Sequence, residues 1–211
     1  MSYGKVVTLA GERETEVKEI ERKPDIEDDA VFTEVVQTNV CGSEVHFWKG
    51  EFPVPNGAVL GHEAVLRVEE LGDDVTTDSA GETVEEGDLV TPVYFQPCGE
   101  CSGCSHGQFY ACEVVKSTGE WMMPHSVPPH FRGTFATHYY IDPDQRFYKV
   151  PENVPHHVAA SANCALSQVI FGLERANLTQ GETLLVQGAG GLGLNSIAVG
   201  KETGAEVIVV E

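Results

Sequence analysis

The 211-residue sequence predicts a β-rich domain followed by the opening of an α/β domain, one βαβ unit long. Three observations carry this expectation. Short β-branched runs separated by turn residues fill residues 1–92. A loop dense in cysteine and proline then interrupts them. Beyond Pro151 the pattern becomes helical, and it ends in strand, glycine turn, helix and strand. The domain boundary is expected at 155/156, so that residues 1–155 form the first domain and 156–211 begin the second.

In chain order, residues 6–9, 31–40, 59–68 and 89–93 read as strands. Pro-Asn-Gly at 55–57, Leu-Gly-Asp-Asp at 71–74 and Glu-Gly-Asp at 86–88 supply the turns. Residues 114–132 hold several prolines and little periodicity, and read as a loop. Residues 135–141 and 147–150 return to strand character. From 158 to 176, Ala, Leu, Val and Ile recur on one helical face. Residues 183–186 form an apolar strand, 192–203 a helix stopped by Gly204, and 207–210 a second strand. One βαβ unit cannot cover both faces of a parallel sheet, so the second domain is expected to be incomplete: a fragment or a truncated gene product.

Composition excludes several function classes. Thirty-three acidic residues against 13 basic ones give a net charge of −20. A polyanion would be repelled, so nucleic acid is not an expected partner. The acid is dispersed, with patches at 12–21, 25–29 and 69–88, and lysine numbers only seven. That pattern suits a salt-rich cytoplasm of a halophile, where screening shortens to a few ångströms. Ordinary surface acidity is the plainer reading. No run of eighteen apolar residues exists, and the N-terminus carries no signal-peptide pattern, so no membrane association and a cytoplasmic location are expected.

Six cysteines are present. Cys98, Cys101, Cys104 and Cys112 follow a C-x2-C-x2-C-x7-C spacing within a lobe at about 95–115. Short gaps let neighbouring thiolates converge on one ion, and the glycines between them let the backbone turn. Four thiolates suit Zn²⁺ in a closed tetrahedron, whose role is structural because no position is left for substrate. An iron–sulfur run would favour a three-residue last gap followed by proline. Clustered cysteines outside small secreted scaffolds are more often metal ligands than disulfides.

Cys41, His62 and Cys164 are scattered. Each alone reads as a buried small hydrophobe or a hydrogen-bonded core histidine. Together they offer three protein ligands and leave a fourth position open, the pattern of a catalytic zinc. His62 and Glu63 are expected on one strand, pointing oppositely, so Glu63 reads as an adjacent or exchanging ligand. Gly188-Ala189-Gly190-Gly191-Leu192-Gly193 is G-x-G-x-x-G between a strand and a helix, with Glu211 closing the next strand. Gly188 suits the tight turn, Gly190 the approach of a pyrophosphate, and Gly193 close helix–strand packing. Glu211 suits the adenosine ribose hydroxyls and would repel a 2′-phosphate, which favours NAD over NADP.

Cys41-Gly-Ser-Glu44, Gly61-His62-Glu63, the four-cysteine lobe, Cys164 and the glycine turn, in this order, resemble the zinc-containing medium-chain dehydrogenase/reductase family in its alcohol dehydrogenase branch. The resemblance implies a GroES-like catalytic domain and then a Rossmann domain. It implies a catalytic zinc on Cys41, His62 and Cys164, a structural zinc on the lobe, and thus two Zn²⁺ per chain with NAD. It also implies a proton relay through Ser43 and His46, a small-molecule alcohol oxidised to aldehyde or ketone, and a homo-oligomer at full length. Glu44 stands where the family commonly has Asp; it keeps the charge that would hydrogen-bond a ligand histidine. Polyol-dehydrogenase-like members tend to lack a cysteine at the position of Cys164, and quinone-reductase-like members lack the zinc ligands. Trp48, Phe95, Trp121 and Phe131 are candidate pocket residues for a hydrophobic alcohol, while His125 and His130 suit a surface loop. A polyol dehydrogenase and a non-catalytic zinc-binding remnant are the alternatives.

Overall fold

The computed structural model describes residues 3–21, 23–114 and 123–211. Its residues form two compact units, Met1–Ala160 and Ser161–Glu211.

The first unit holds a hairpin and a five-stranded antiparallel sheet. The hairpin pairs β1 (Gly4–Gly11) with β2 (Glu14–Ile20). The sheet uses β3 (Val31–Thr38), β4 (Ala64–Leu71), β5 (Leu89–Pro92), β6 (His138–Ile141) and β7 (Phe147–Lys149), in the order β6-β3-β4-β5-β7. Both of its faces are covered. Val31, Leu66, Val90 and Ile141 belong to one buried cluster, while Phe32 and Tyr140 join Val6, Val59 and Phe131 in another. Adjacent residues on a strand point oppositely, so Val31 and Phe32 serve different layers.

Strand β2 was not expected. Its sequence, ETEVKEI, is mostly charged, and it lies exposed on β1 with Val17 open to solvent. Backbone pairing holds it, and no apolar stripe marks it. The strand expected at 59–68 begins only at Ala64. Ala58 and Val59 make isolated bridges instead, to Pro124 and Thr8.

Among the described residues this unit also has short α-helices α1 (Gly42–Trp48), α2 (Ser102–Ser105) and α3 (His156–Ala159). Ala159 and Ala160 pack on Val65 of β4.

The second unit opens with a π-helical turn, Ala162–Leu166, that leads directly into α4 (Ser167–Arg175). The single helix expected over 158–176 is therefore three pieces, and the two units divide inside it. Next come β8 (Thr183–Gln187), α5 (Gly191–Thr203) and β9 (Glu206–Val210). β8 and β9 pair in parallel, Thr183 opposite Glu206 through Gln187 opposite Val210, which is the expected βαβ unit.

Candidate metal centres

The four lobe cysteines bring their sulfurs within 4.8 Å of one another. A tetrahedron of thiolates around zinc needs sulfur separations of roughly 3.8 Å, from Zn–S bonds of about 2.3 Å. Cys98 and Cys104 stand 4.0 Å apart, so the set fits zinc with a small contraction. The backbone supports it: Cys101 N–H donates to Cys98 Sγ and Cys98 N–H to Cys112 Sγ, both at 3.4 Å. Cys101 caps α2, and Ser105 Oγ donates to its carbonyl. The Arg146 guanidinium lies 5.1 Å over the Phe109 ring, tying the lobe to the strand side. Backbone N–H groups of Cys104 and Glu113 hold the Cys101 thiol below its ordinary pKa. Burial pushes Cys104 up to about 12. A thiolate at that buried position calls for a cation, and a metal bound there would displace the thiol proton.

Cys41, His62 and Glu63 form a second set, with ligand atoms within 4.8 Å of one another. Two features of the chain bring them together. Asn39 N–H and Thr38 Oγ1 both donate to the Glu63 carbonyl, which clips the segment before β4 to the end of β3, two residues from Cys41. Gly61 turns that segment at φ +95°, and a Cβ there would meet Thr134 Oγ1 at 2.5 Å. His62 and Glu63 thus precede the strand. The opposite-facing argument for them fails because strand alternation applies only from Ala64 onward, and both side chains reach the Cys41 cluster.

Glu44 sits in the first turn of α1, an element not expected from the sequence. Its carboxylate is buried and uses both oxygens. One accepts the Cys41 N–H at 2.8 Å, completing the N-terminal cap; the other accepts His62 Nδ1 at 2.5 Å. A carboxylate on Nδ1 fixes the orientation and tautomer of the His62 ring, as it does for metal-binding histidines. The longer side chain of Glu therefore reaches His62.

Ser43 Oγ is 3.3 Å from Cys41 Sγ. His46 is half exposed on α1, with Nδ1 against Glu51 and its ring edge-on to Phe52. The His46 contact holds the Glu51 carboxyl below its ordinary pKa.

A cavity of about 680 Å³ adjoins His62. Its walls include Phe47, Tyr94, Gln96, Arg132 and Asp142. The Tyr94 ring centroid is 4.6 Å from that of His62. Arg132 Nη2 donates to Asp142 Oδ1 at 2.7 Å; burial lifts the Asp142 carboxyl above its ordinary pKa and Arg132 opposes the rise. The expected pocket residues Trp48, Phe95 and Phe131 are not among its lining residues. Phe131 is fully buried in the core and Trp48 is exposed at the end of α1. Trp121 lies outside the described residues. His125 and His130 are half-buried in the loop, their Nδ1 atoms meeting the carbonyls of Gly57 and His125.

In the second unit, Cys164 is buried within the π-helical turn. Gln168 Nε2 donates to its Sγ at 3.3 Å. The glycine turn caps α5 at Gly190, and the Glu211 carboxylate accepts the Ala189 N–H at 2.5 Å. A Cβ on Gly193 would meet the Gly188 carbonyl oxygen at 2.0 Å, so only glycine fits.

Residues 27–152 match the family model described as the alcohol dehydrogenase GroES-like domain. The chain belongs to the zinc-type alcohol dehydrogenase family. Among its alcohol dehydrogenase relatives is 5-exo-hydroxycamphor dehydrogenase of Pseudomonas putida, 34% identical over 180 residues, which cover 83% of this chain and 47% of that protein. D-xylulose reductase A of Aspergillus oryzae is 33% identical over 183 residues, 85% of this chain and 47% of the reductase. The structure of an alcohol dehydrogenase from Thermotoga maritima superposes with a TM-score of 0.85 at 32% identity, over 98% of this chain and 57% of that one. The chain spans about half the length of the curated relatives it matches. No helix among the described residues is long and apolar enough to cross a membrane.

Proposed function

We propose that this chain carries the metal- and substrate-binding part of a zinc-dependent alcohol dehydrogenase that passes hydride to NAD. The first unit, through Ala160, is the GroES-like catalytic domain, and the second is the start of the dinucleotide-binding domain, with the division five residues beyond the 155/156 boundary expected from the sequence. The observation that carries the reading is Glu44, which holds His62 by Nδ1 beside Cys41, where their ligand atoms lie within 4.8 Å. Cys41, His62 and Cys164 would hold the catalytic zinc, with Glu63 as neighbour or exchanging ligand. The four-cysteine lobe would hold a structural zinc. When bound, the catalytic zinc supplies Lewis acidity that lowers the pKa of an alcohol, and NAD supplies the hydride acceptor.

The chain's own residues do the rest. Ser43, beside Cys41, takes the alcohol proton at Oγ. His46, half exposed and paired with Glu51, passes it to solvent. Glu211 at the glycine turn receives the adenosine ribose and its charge disfavours a 2′-phosphate, hence NAD. A small-molecule alcohol is the substrate, and the full-length protein is a cytoplasmic homo-oligomer. The charge of −20 suits a salt-rich interior.

A polyol is the second reading of the substrate. Arg132, Asp142, Gln96 and Tyr94 offer donors and acceptors together on the cavity wall, which matches hydroxyl groups better than a plain hydrocarbon.

Metal analysis of the purified chain tests the zinc assignment. Two zinc ions per chain are expected, with Cys41→Ser removing one and Cys98→Ser the other. If Cys41→Ser left both the zinc content and alcohol-dependent NAD reduction of the full-length enzyme untouched, the assignment would fail. Two zincs with no NAD reduction in high salt would leave a non-catalytic zinc protein.

A further inference from the structure

We propose that Gln168 is a positioning residue for Cys164, holding its sulfur by an N–H···S hydrogen bond and withdrawing charge from it. The inference rests on Cys164 being a zinc ligand, as proposed above.

Cys164 is 3% exposed, inside a turn where the Leu166 N–H reaches back to the Ser161 carbonyl, five residues away. Such π-turns occur often at functional sites, because they re-aim one side chain relative to the helix that follows. Here the helix that follows is α4. Gln168 lies in its first turn, four residues after Cys164 and on the same face. Its Nε2 reaches Cys164 Sγ at 3.3 Å, while Ser167 Oγ donates to the Cys164 carbonyl at 2.9 Å. The sulfur and the carbonyl of one residue are thus both held from α4.

A carboxamide is a neutral donor. It orders a thiolate without adding a charge to the metal site. Sulfur that accepts a hydrogen bond from an N–H gives less electron density to the metal, which leaves the metal the stronger Lewis acid. Groups behind a ligand that orient it commonly change metal affinity or activity by about 10–100-fold when removed. Gln168 fits that description for Cys164 as Glu44 does for His62, with a neutral donor in place of a charged acceptor.

The test loads the full chain with Co²⁺ in place of zinc and reads thiolate-to-cobalt charge-transfer absorption. The Cys164→Ser variant, which keeps the four-cysteine lobe, isolates the Cys164 contribution by difference. Gln168→Met keeps the length of the side chain and removes the donor. Gln168→Lys keeps an N–H donor. Gln168→Met is expected to move the Cys164 band to lower energy. It should also weaken metal binding at that site about tenfold in a chelator titration. The lobe metal and the thermal midpoint of the metal-free chain should stay unchanged, and Gln168→Lys should return the band toward its original position. An unmoved band and unchanged affinity in Gln168→Met, with Cys164→Ser differing from the parent chain, overturns this inference alone. Identical spectra for the parent chain and Cys164→Ser overturn it together with the ligand assignment.

Discussion

Glu44 shows how much one methylene decides. Its two oxygens join the cap of α1 to the Nδ1 of His62, so helix position and imidazole orientation share one buried carboxylate. Glu44→Gln replaces one acceptor with a donor that faces an N–H. Zinc affinity of the Cys41 site should fall about 10–100-fold, read by chelator competition, while the lobe zinc stays. A loss from the lobe instead would contradict the role given to Glu44. Asp78 plays a purely structural part in the loop before β5. Burial raises its carboxyl pKa, but backbone N–H groups of Lys149, Glu82, Ala80 and Gly81 more than offset this and hold it below the ordinary value. A depressed native pKa means stability that is complete above the ordinary carboxylate pKa and lost as pH falls through the native one. Asp78→Asn should therefore cost about 2 kcal/mol at pH 7, from charge-assisted hydrogen bonds, and progressively less in acid. Denaturant titrations at both pH values check it; an equal cost at each would exclude the charge as the cause.

At the scale of elements, position comes from where strands stop. β3 ends at Thr38 and β4 begins at Ala64, and the irregular segments beyond those ends carry Cys41 and His62. Hydrogen bonds from Thr38 and Asn39 to the Glu63 carbonyl bring the two segments into one corner. A pocket wall built on such backbone is hard to assign by residue type. Phe47, Tyr94 and Arg132 line the cavity, each the immediate neighbour of an expected residue: Trp48, Phe95 and Phe131. In the second unit the strand–turn–helix junction depends on Gly193. Gly193→Ala puts a methyl group 2.0 Å from the Gly188 carbonyl oxygen, backbone that cannot yield as a side chain can. A cost of about 3 kcal/mol is expected. It should appear as lost protection of β8 and β9 amides in hydrogen exchange, with the first unit unchanged. Protection lost evenly across both units would mean that the two fold as one.

Over the whole molecule the dominant feature is charge. With 33 acidic residues against 13 lysines and arginines, there are not enough of these cations for each carboxylate to have one of its own. Some basic residues are already committed, as Lys149 is to Asp88, where the contact lowers the carboxyl pKa and raises that of the amine. Repulsion among the remaining carboxylates is long-ranged at low salt and short-ranged at high salt, with a screening length of about 10 Å at 0.1 M and about 3 Å at 1 M. The thermal midpoint should rise as sodium chloride increases over that range. Chloride is the informative salt, because sulfate strengthens apolar burial in any protein. A flat or falling midpoint would remove the case for adaptation to salt.

The sequence by itself determined the four-cysteine set, the βαβ unit with its glycine turn, and most strands of the sheet. In each case the information is local: ligand spacing, glycine at a turn, or a β-branched run. It did not reveal β2, whose charged residues are held by backbone pairing to β1, nor the π-turn that divides the helical pattern at Cys164. Only the tertiary structure decided that His62 and Glu63 both face Cys41, that Glu44 spans Cys41 and His62, and that Tyr94 stands over the histidine ring. The reason is physical. Those relations join residues far apart in the chain through irregular backbone, where no periodicity fixes the direction of a side chain.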